Sequence, residues 1–151
     1  MKEKNNSGLT TLTIYNVAFV VSDVDKAVAW YADALGFKLL AQETIPGTKG
    51  TLKRAFLEGA GIKLEILQNS ENQYVESIEK DARTEAAPSV IGSKAIVFKV
   101  EDLKLTTQEL AQKGVDFLWK DRYLAEDRLF STMILDPDGN RINIFQSNTV
   151  A

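Results

Sequence analysis

The chain contains no cysteine and no histidine in 151 residues, and only three prolines, two methionines and two tryptophans. Without cysteine there can be no disulfide, no thiolate nucleophile and no zinc finger. The missing histidine excludes more, because imidazole is the commonest general base and the commonest transition-metal ligand. Any chemistry must therefore run on carboxylates, lysine, arginine, tyrosine, hydroxyls or the backbone. No apolar run approaches the roughly 20 residues of a membrane span, and the first residues lack a secretory pattern. An excess of one charge is also missing: 18 basic and 21 acidic residues are interspersed, for a net charge of -3. That balance leaves no phosphate-tracking surface. The expectation is a cytoplasmic protein that engages neither nucleic acid nor membrane.

What is present is 44 % hydrophobic residues, enough for a proper core, set out in a pattern that occurs twice. Residues 1–11, MKEKNNSGLTT, are polar and read as a disordered tail. Residues 12–69 form a first module. It opens with the β-branched strand LTIYNVAFVV and continues with a helix, SDVDKAVAWYADALG. Ser22 and Asp25 form a capping box there, and Gly36 takes the position just past the helix end. Val24, Ala27, Val28, Tyr31 and Leu35 fall on one helical face. Three strand-like runs follow, FKLLAQET, TLKRAFLE and IKLEILQ, broken at PGTKG and GAG. Residues 94–147 repeat that order as KAIVFKV, EDLKLTTQELAQKG, VDFLWKD, RLFSTMILD and NRINIFQ. Asp23 matches Asp102, Gly36 matches Gly114, Gly61 matches Gly139 and Glu65 matches Asn143, at an offset of 78 or 79 residues. A constant offset over five elements marks a duplicated βαβββ module. Residues 70–93 read as a linker with a helix of about ten residues, opened by Ser70 and Gln73 and stopped before Pro88.

Two stretches carry more than the repeat. VAFVVSDVDKAVAWYADALGF and DPDGNRINIFQ resemble the first strand–helix and the last corner and strand of the vicinal oxygen chelate superfamily. That superfamily includes glyoxalase I, extradiol dioxygenases, methylmalonyl-CoA epimerase and the bleomycin- and fosfomycin-resistance proteins. The resemblance implies an α+β fold, two βαβββ modules forming a curled, half-open mixed sheet around a cavity with the helices outside. It also implies a homodimer, since members commonly complete their barrels against a partner. Metal-using members draw ligands from the inner faces of the first and last strands of each module, which here places Asn16, Glu65, Ala95 and Asn143. Only Glu65 keeps the usual residue type. Ala95 has no donor atom, and two amides are poor substitutes for imidazole or carboxylate. The expectation is no metal and no other cofactor, which argues against a metal-dependent glyoxalase or dioxygenase.

Strand alternation then selects the lining. It turns Asn16, Ala18 and Val20 inward, together with Lys63, Glu65 and Leu67, with Ala95, Val97 and Lys99, and with Arg141, Asn143 and Phe145. Leu52, Arg54 and Phe56 join them, and the repeat adds Phe130, Thr132 and Ile134. Trp119 and Tyr123 are expected at the rim, while Trp30 and Tyr31 read as packing residues on the helix. The candidate ligand-binding set is Asn16, Arg54, Phe56, Ala95, Trp119, Tyr123, Phe130, Asn143 and Phe145, with Glu65 as the one candidate catalytic group. Such a hollow suits an aromatic or drug-like small molecule. Two readings follow: a metal-independent binding protein, or a metal-free isomerase, cyclase or lyase using Glu65 as general acid or base.

Overall fold

Each half of the molecule is anchored where its helix begins. The computed structural model describes residues 11–47, 50–70, 91–92, 95–126 and 128–150. Asp23 caps helix α1 (Val24–Leu35) by accepting from the Lys26 N–H at 3.0 Å. Asp102 does the same for α2 (Leu103–Gln112), accepting from the Leu105 N–H at 3.0 Å. A second tie comes from the last strand of the same module. The Gln68 side-chain oxygen accepts from the Val24 N–H at 2.9 Å, and that of Gln146 from the Leu103 N–H at 3.0 Å. These bonds satisfy backbone donors that a helix start leaves open. The cap is Asp23 and not the expected Ser22, whose N–H donates to the Asp138 carboxylate at 3.1 Å.

The first sheet holds β1 (Val17–Val20), β2 (Lys38–Gly47), β3 (Gly50–Gly59) and β4 (Ile62–Asn69) in the order β1-β4-β3-β2. The second holds β5 (Ala95–Val100), β6 (Asp116–Leu124), β7 (Leu129–Leu135) and β8 (Arg141–Gln146) in the order β5-β8-β7-β6. In each, the first strand runs parallel to the fourth and the remaining pairs are antiparallel. Strand β1 is shorter than its apolar run, since its ladder begins at Val17 opposite Leu64. Leu12, Ile14 and Tyr15 precede that ladder and are exposed. The tail 1–10 and the linker helix anticipated near Tyr74 and Val75 lie outside the described residues.

One core joins the halves. Val24, Ala27, Tyr31, Leu64 and Ile66 of the first module are buried in the same cluster as Leu103, Leu110, Ile134, Ile142 and Ile144 of the second. Tyr31 is its polar anchor: at 1 % exposure it packs against Phe19, Trp30 and Phe37. Its phenol donates to the Asp136 carboxylate at 2.9 Å across the module boundary.

The duplication breaks at one corner. Between paired Glu58 and Lys63 lie four residues, 59–62, whereas five residues, 136–140, separate paired Leu135 and Arg141. One added residue reverses strand alternation relative to the copy. Phe130, Thr132 and Ile134 therefore face the helix rather than the cavity, which corrects the inward placement expected from the repeat. Phe130 and Ile134 join the core, and the Thr132 hydroxyl meets that of Thr107 on α2 at 2.7 Å. The inward positions of β7 are Ser131, Met133 and Leu135, opposite Phe145, Asn143 and Arg141.

Candidate functional site

On the concave face of the first module, β4 presents Glu65 between Ala18 of β1 and Phe56 of β3. Leu64 and Ile66, either side of it, point to the core and are fully buried. Asn16, just before β1, donates its Nδ2–H to Glu65 Oε2 at 3.0 Å. Arg54 lies across from Glu43 of β2, and its Nε and Nη2 both reach Glu43 Oε1 at 2.5 Å. The Nη1 of the same guanidinium stands 3.8 Å from Glu65 Oε1, and its carbon lies 5.3 Å from the Phe56 ring centre. One cation thus serves two carboxylates, tightly at Glu43 and loosely at Glu65. The result is a polar floor beside an aromatic wall, half-buried and open to solvent.

In the second module, Asn143 stands between Val97 of β5 and Met133 of β7. It is buried to 9 % exposure, and its Oδ1 has no hydrogen-bond partner among the described residues. A buried amide oxygen left so costs about 1–3 kcal/mol until a donor reaches it. Trp119, opposite Met133, donates its indole N–H to the Ser131 hydroxyl at 2.8 Å. Phe145 is half-buried beside Ser131 and Lys99, and Ala95 is exposed at the start of β5. Tyr123 lies within β6, 56 % exposed, and stacks on Phe130 with ring centres 4.6 Å apart. That pair belongs to the helix side of the sheet and stands apart from Glu65. Asn16, Arg54, Phe56 and Glu65 are thus drawn into one constellation.

The sequence reading missed the Tyr31–Asp136 tie. Asp136 Oδ2 also accepts from the Asn140 side chain at 2.8 Å, while Oδ1 accepts from the backbone N–H groups of Asp138 and Asn140. Burial pushes the Asp136 carboxyl above its ordinary value against the pull of these bonds, and burial beside Asp136 raises the Tyr31 phenol far above its own. The signal available was an acid-rich Asp-Pro-Asp-Gly corner in one module against Gly-Ala-Gly in the other.

The four positions where metal-using relatives of this fold would hold an ion carry one carboxylate, two amides and a methyl group. Asn16 turns its amide N–H toward Glu65, and a guanidinium faces the other carboxylate oxygen. This donor set does not fit a divalent transition ion. Among the described residues no group of three or more Asp or Glu could hold one elsewhere. No described helix is long and apolar enough to cross a membrane.

Two βαβββ modules with mixed sheets and a shared core define the glyoxalase-like class of fold. A sequence profile of the Glyoxalase/Bleomycin resistance protein/Dioxygenase superfamily matches residues 13–144, and the chain belongs to that family. It is 28 % identical over 129 residues to a probable lactoylglutathione lyase of Synechocystis sp., covering 85 % of this chain and 91 % of the relative. It is 29 % identical over 104 residues to the uncharacterized protein YwkD of Bacillus subtilis, covering 69 % and 73 %. A solved glyoxalase family protein from Enterococcus faecalis superposes with a TM-score of 0.70 at 23 % identity, covering 88 % of this chain and 96 % of that one.

Proposed function

We propose that the protein binds small aromatic or drug-like molecules without a metal, on the concave face built around Glu65, Asn16, Arg54 and Phe56. The observation that carries this reading is the state of Glu65. Both its oxygens are turned to protein N–H groups, from Asn16 at 3.0 Å and Arg54 at 3.8 Å, where a metal-using relative would present a free carboxylate. Phe56 supplies a ring surface beside it. The protein works as a homodimer, which covers edge strands that each sheet leaves open.

A second reading has one observation in its favour. Glu65 Oε1 is held only at 3.8 Å by Arg54, which leaves it free to take a proton from a substrate in a metal-free isomerisation, cyclisation or elimination. Glu65→Gln separates the two. The ligand is first found by a thermal-shift screen over aromatic metabolites and antibiotics in metal-free buffer. For a binder, affinity for a neutral ligand changes by no more than about 1 kcal/mol in the variant. For an enzyme, turnover falls by about two to four orders of magnitude while binding persists. Binding that appears only with one equivalent of a divalent ion, lost in Glu65→Ala, overturns both.

A further inference from the structure

The register of the first sheet gives Arg54 two carboxylates at unequal reach. Glu43 lies directly opposite it on β2. Glu65 lies opposite Phe56, so it stands diagonal to Arg54, two residues along β4 from Leu67. Directly opposite residues on one face are about 4.5–5.5 Å apart, and diagonal ones about 7–8 Å. The contacts follow that geometry. Nε and Nη2 both meet Glu43 Oε1 at 2.5 Å, while Nη1 stops 3.8 Å from Glu65 Oε1, beyond hydrogen-bond reach. Solvent screening favours the other partner. The Glu65 side chain is 19 % exposed and that of Glu43 45 %, so a released guanidinium would bind Glu65. Asn16 already holds Oε2, and Oε1 accepts no hydrogen bond among the described residues. Lys63, the other cation on this face of β4, is turned to the Tyr15 ring, 5.1 Å from its centre.

We propose that Glu43 is a positioning residue of this site. By holding the Arg54 guanidinium on the β2 side, it keeps Glu65 Oε1 open as the acceptor for an O–H or N–H carried on a ring that lies against Phe56. The assignment rests on the binding role proposed above for this face. It serves either reading, since a bound donor and a proton to be abstracted need the same open oxygen. A hydroxyl fits the spot in both directions: it donates to Oε1 and accepts from Arg54 Nη1, the nitrogen that Glu43 does not engage. Without Glu43, the guanidinium closes on Oε1 and fills that acceptor with a protein donor.

Glu43→Gln, an isosteric change at an exposed side chain, tests this first without any ligand. Crystal structures of wild type and variant are expected to differ at Arg54, with a guanidinium nitrogen within about 3 Å of Glu65 Oε1 only in the variant. A guanidinium that keeps its distance in Glu43→Gln, or turns out to solvent, overturns the proposal. Two-dimensional NMR of the full chain then compares phenol with anisole, the same ring without its donor. In the wild type, phenol should bind about tenfold more tightly through its bond to a charged acceptor. Glu43→Gln should remove most of that preference, and Glu43→Asp should retain part of it. In an Arg54→Met background Glu43→Gln should change nothing, because its effect passes through the guanidinium. A preference that survives Glu43→Gln, or a Glu43→Gln effect that persists with Arg54→Met, overturns the positioning role. Equal binding of phenol and anisole at the Phe56 face also overturns it, while leaving the proposed function standing. If neither probe shifts that face up to about 10 mM, the proposed function is what fails, and the two crystal structures alone decide the role of Glu43.

Discussion

The two modules share their caps, their strand order and their helix-to-last-strand ties, yet they treat their concave faces in opposite ways. In the first, Glu65, Arg54 and Phe56 remain half-exposed and form a charged constellation. In the second, Ser131, Met133, Leu135, Arg141 and Asn143 are buried, and Trp119 is tied to Ser131. The seam shows the reverse asymmetry: the second module's corner reaches over to lock onto Tyr31, while the first module's corner leaves a cleft. Elements that make the fold are duplicated faithfully, and those that face a ligand or the other module are not. A duplicated scaffold can thus hold one open face while the other half supplies stability.

The largest expected break in this comparison is Asp136→Ala. It leaves the Tyr31 phenol, the Asn140 side chain and two backbone N–H groups without their shared acceptor, all in or near the core. Chemical denaturation should show a loss of about 3–5 kcal/mol. No loss of that size is expected from Ala60→Ser in the equivalent corner. A small effect of Asp136→Ala would mean that the modules do not depend on this lock.

A pH series sharpens the same point. Because Asp136 is raised above its ordinary 3.8 by burial, the folded state holds its proton more tightly than the unfolded chain does. Stability from this group therefore falls as pH rises from about 3.8 through its folded value, and the gap between wild type and Asp136→Ala should narrow over that window. Tyr31 is likewise raised above 10.0, so the wild type should lose further stability above pH 10, a loss that Tyr31→Phe removes. A gap that widens from pH 4 upward contradicts the burial of Asp136.

The smallest effects test what the halves share. Gln68→Ala and Gln146→Ala each remove one bond to a helix start, and each should cost about 1 kcal/mol, equally within error. Unequal losses would show that one module dominates the cooperative unit.

Much of this was legible from residue order. The offset carried by Asp23, Gly36, Gly61 and Glu65 placed both modules, and alternation turned Arg54, Phe56, Glu65 and Asn143 to the concave side as found. Three things were not legible. The extra residue at 136–140 flipped β7, because alternation propagates a single insertion along a whole strand. The helix cap is Asp23 rather than Ser22, and the Ser22 N–H goes instead to Asp138, 116 positions away, a partner no local spacing announces. Tyr31 was read as packing alone, since its partner Asp136 is 105 residues distant and no local spacing relates them.

The glutamine ties also set an order of events during synthesis. Helix α1 is secured by a residue 44 positions downstream of Val24, and α2 by one 43 positions downstream of Leu103. Each module therefore carries within itself the cap and the glutamine tie of its helix, and at about 5–20 residues per second the first can close within seconds of emerging from the ribosome. Ser22 and Tyr31 are exceptions, for their acceptors Asp138 and Asp136 arrive 116 and 105 residues later. During that interval a nascent first module presents an unsatisfied phenol and the apolar seam around it. A chaperone or a neighbouring nascent chain would meet the molecule at that edge first.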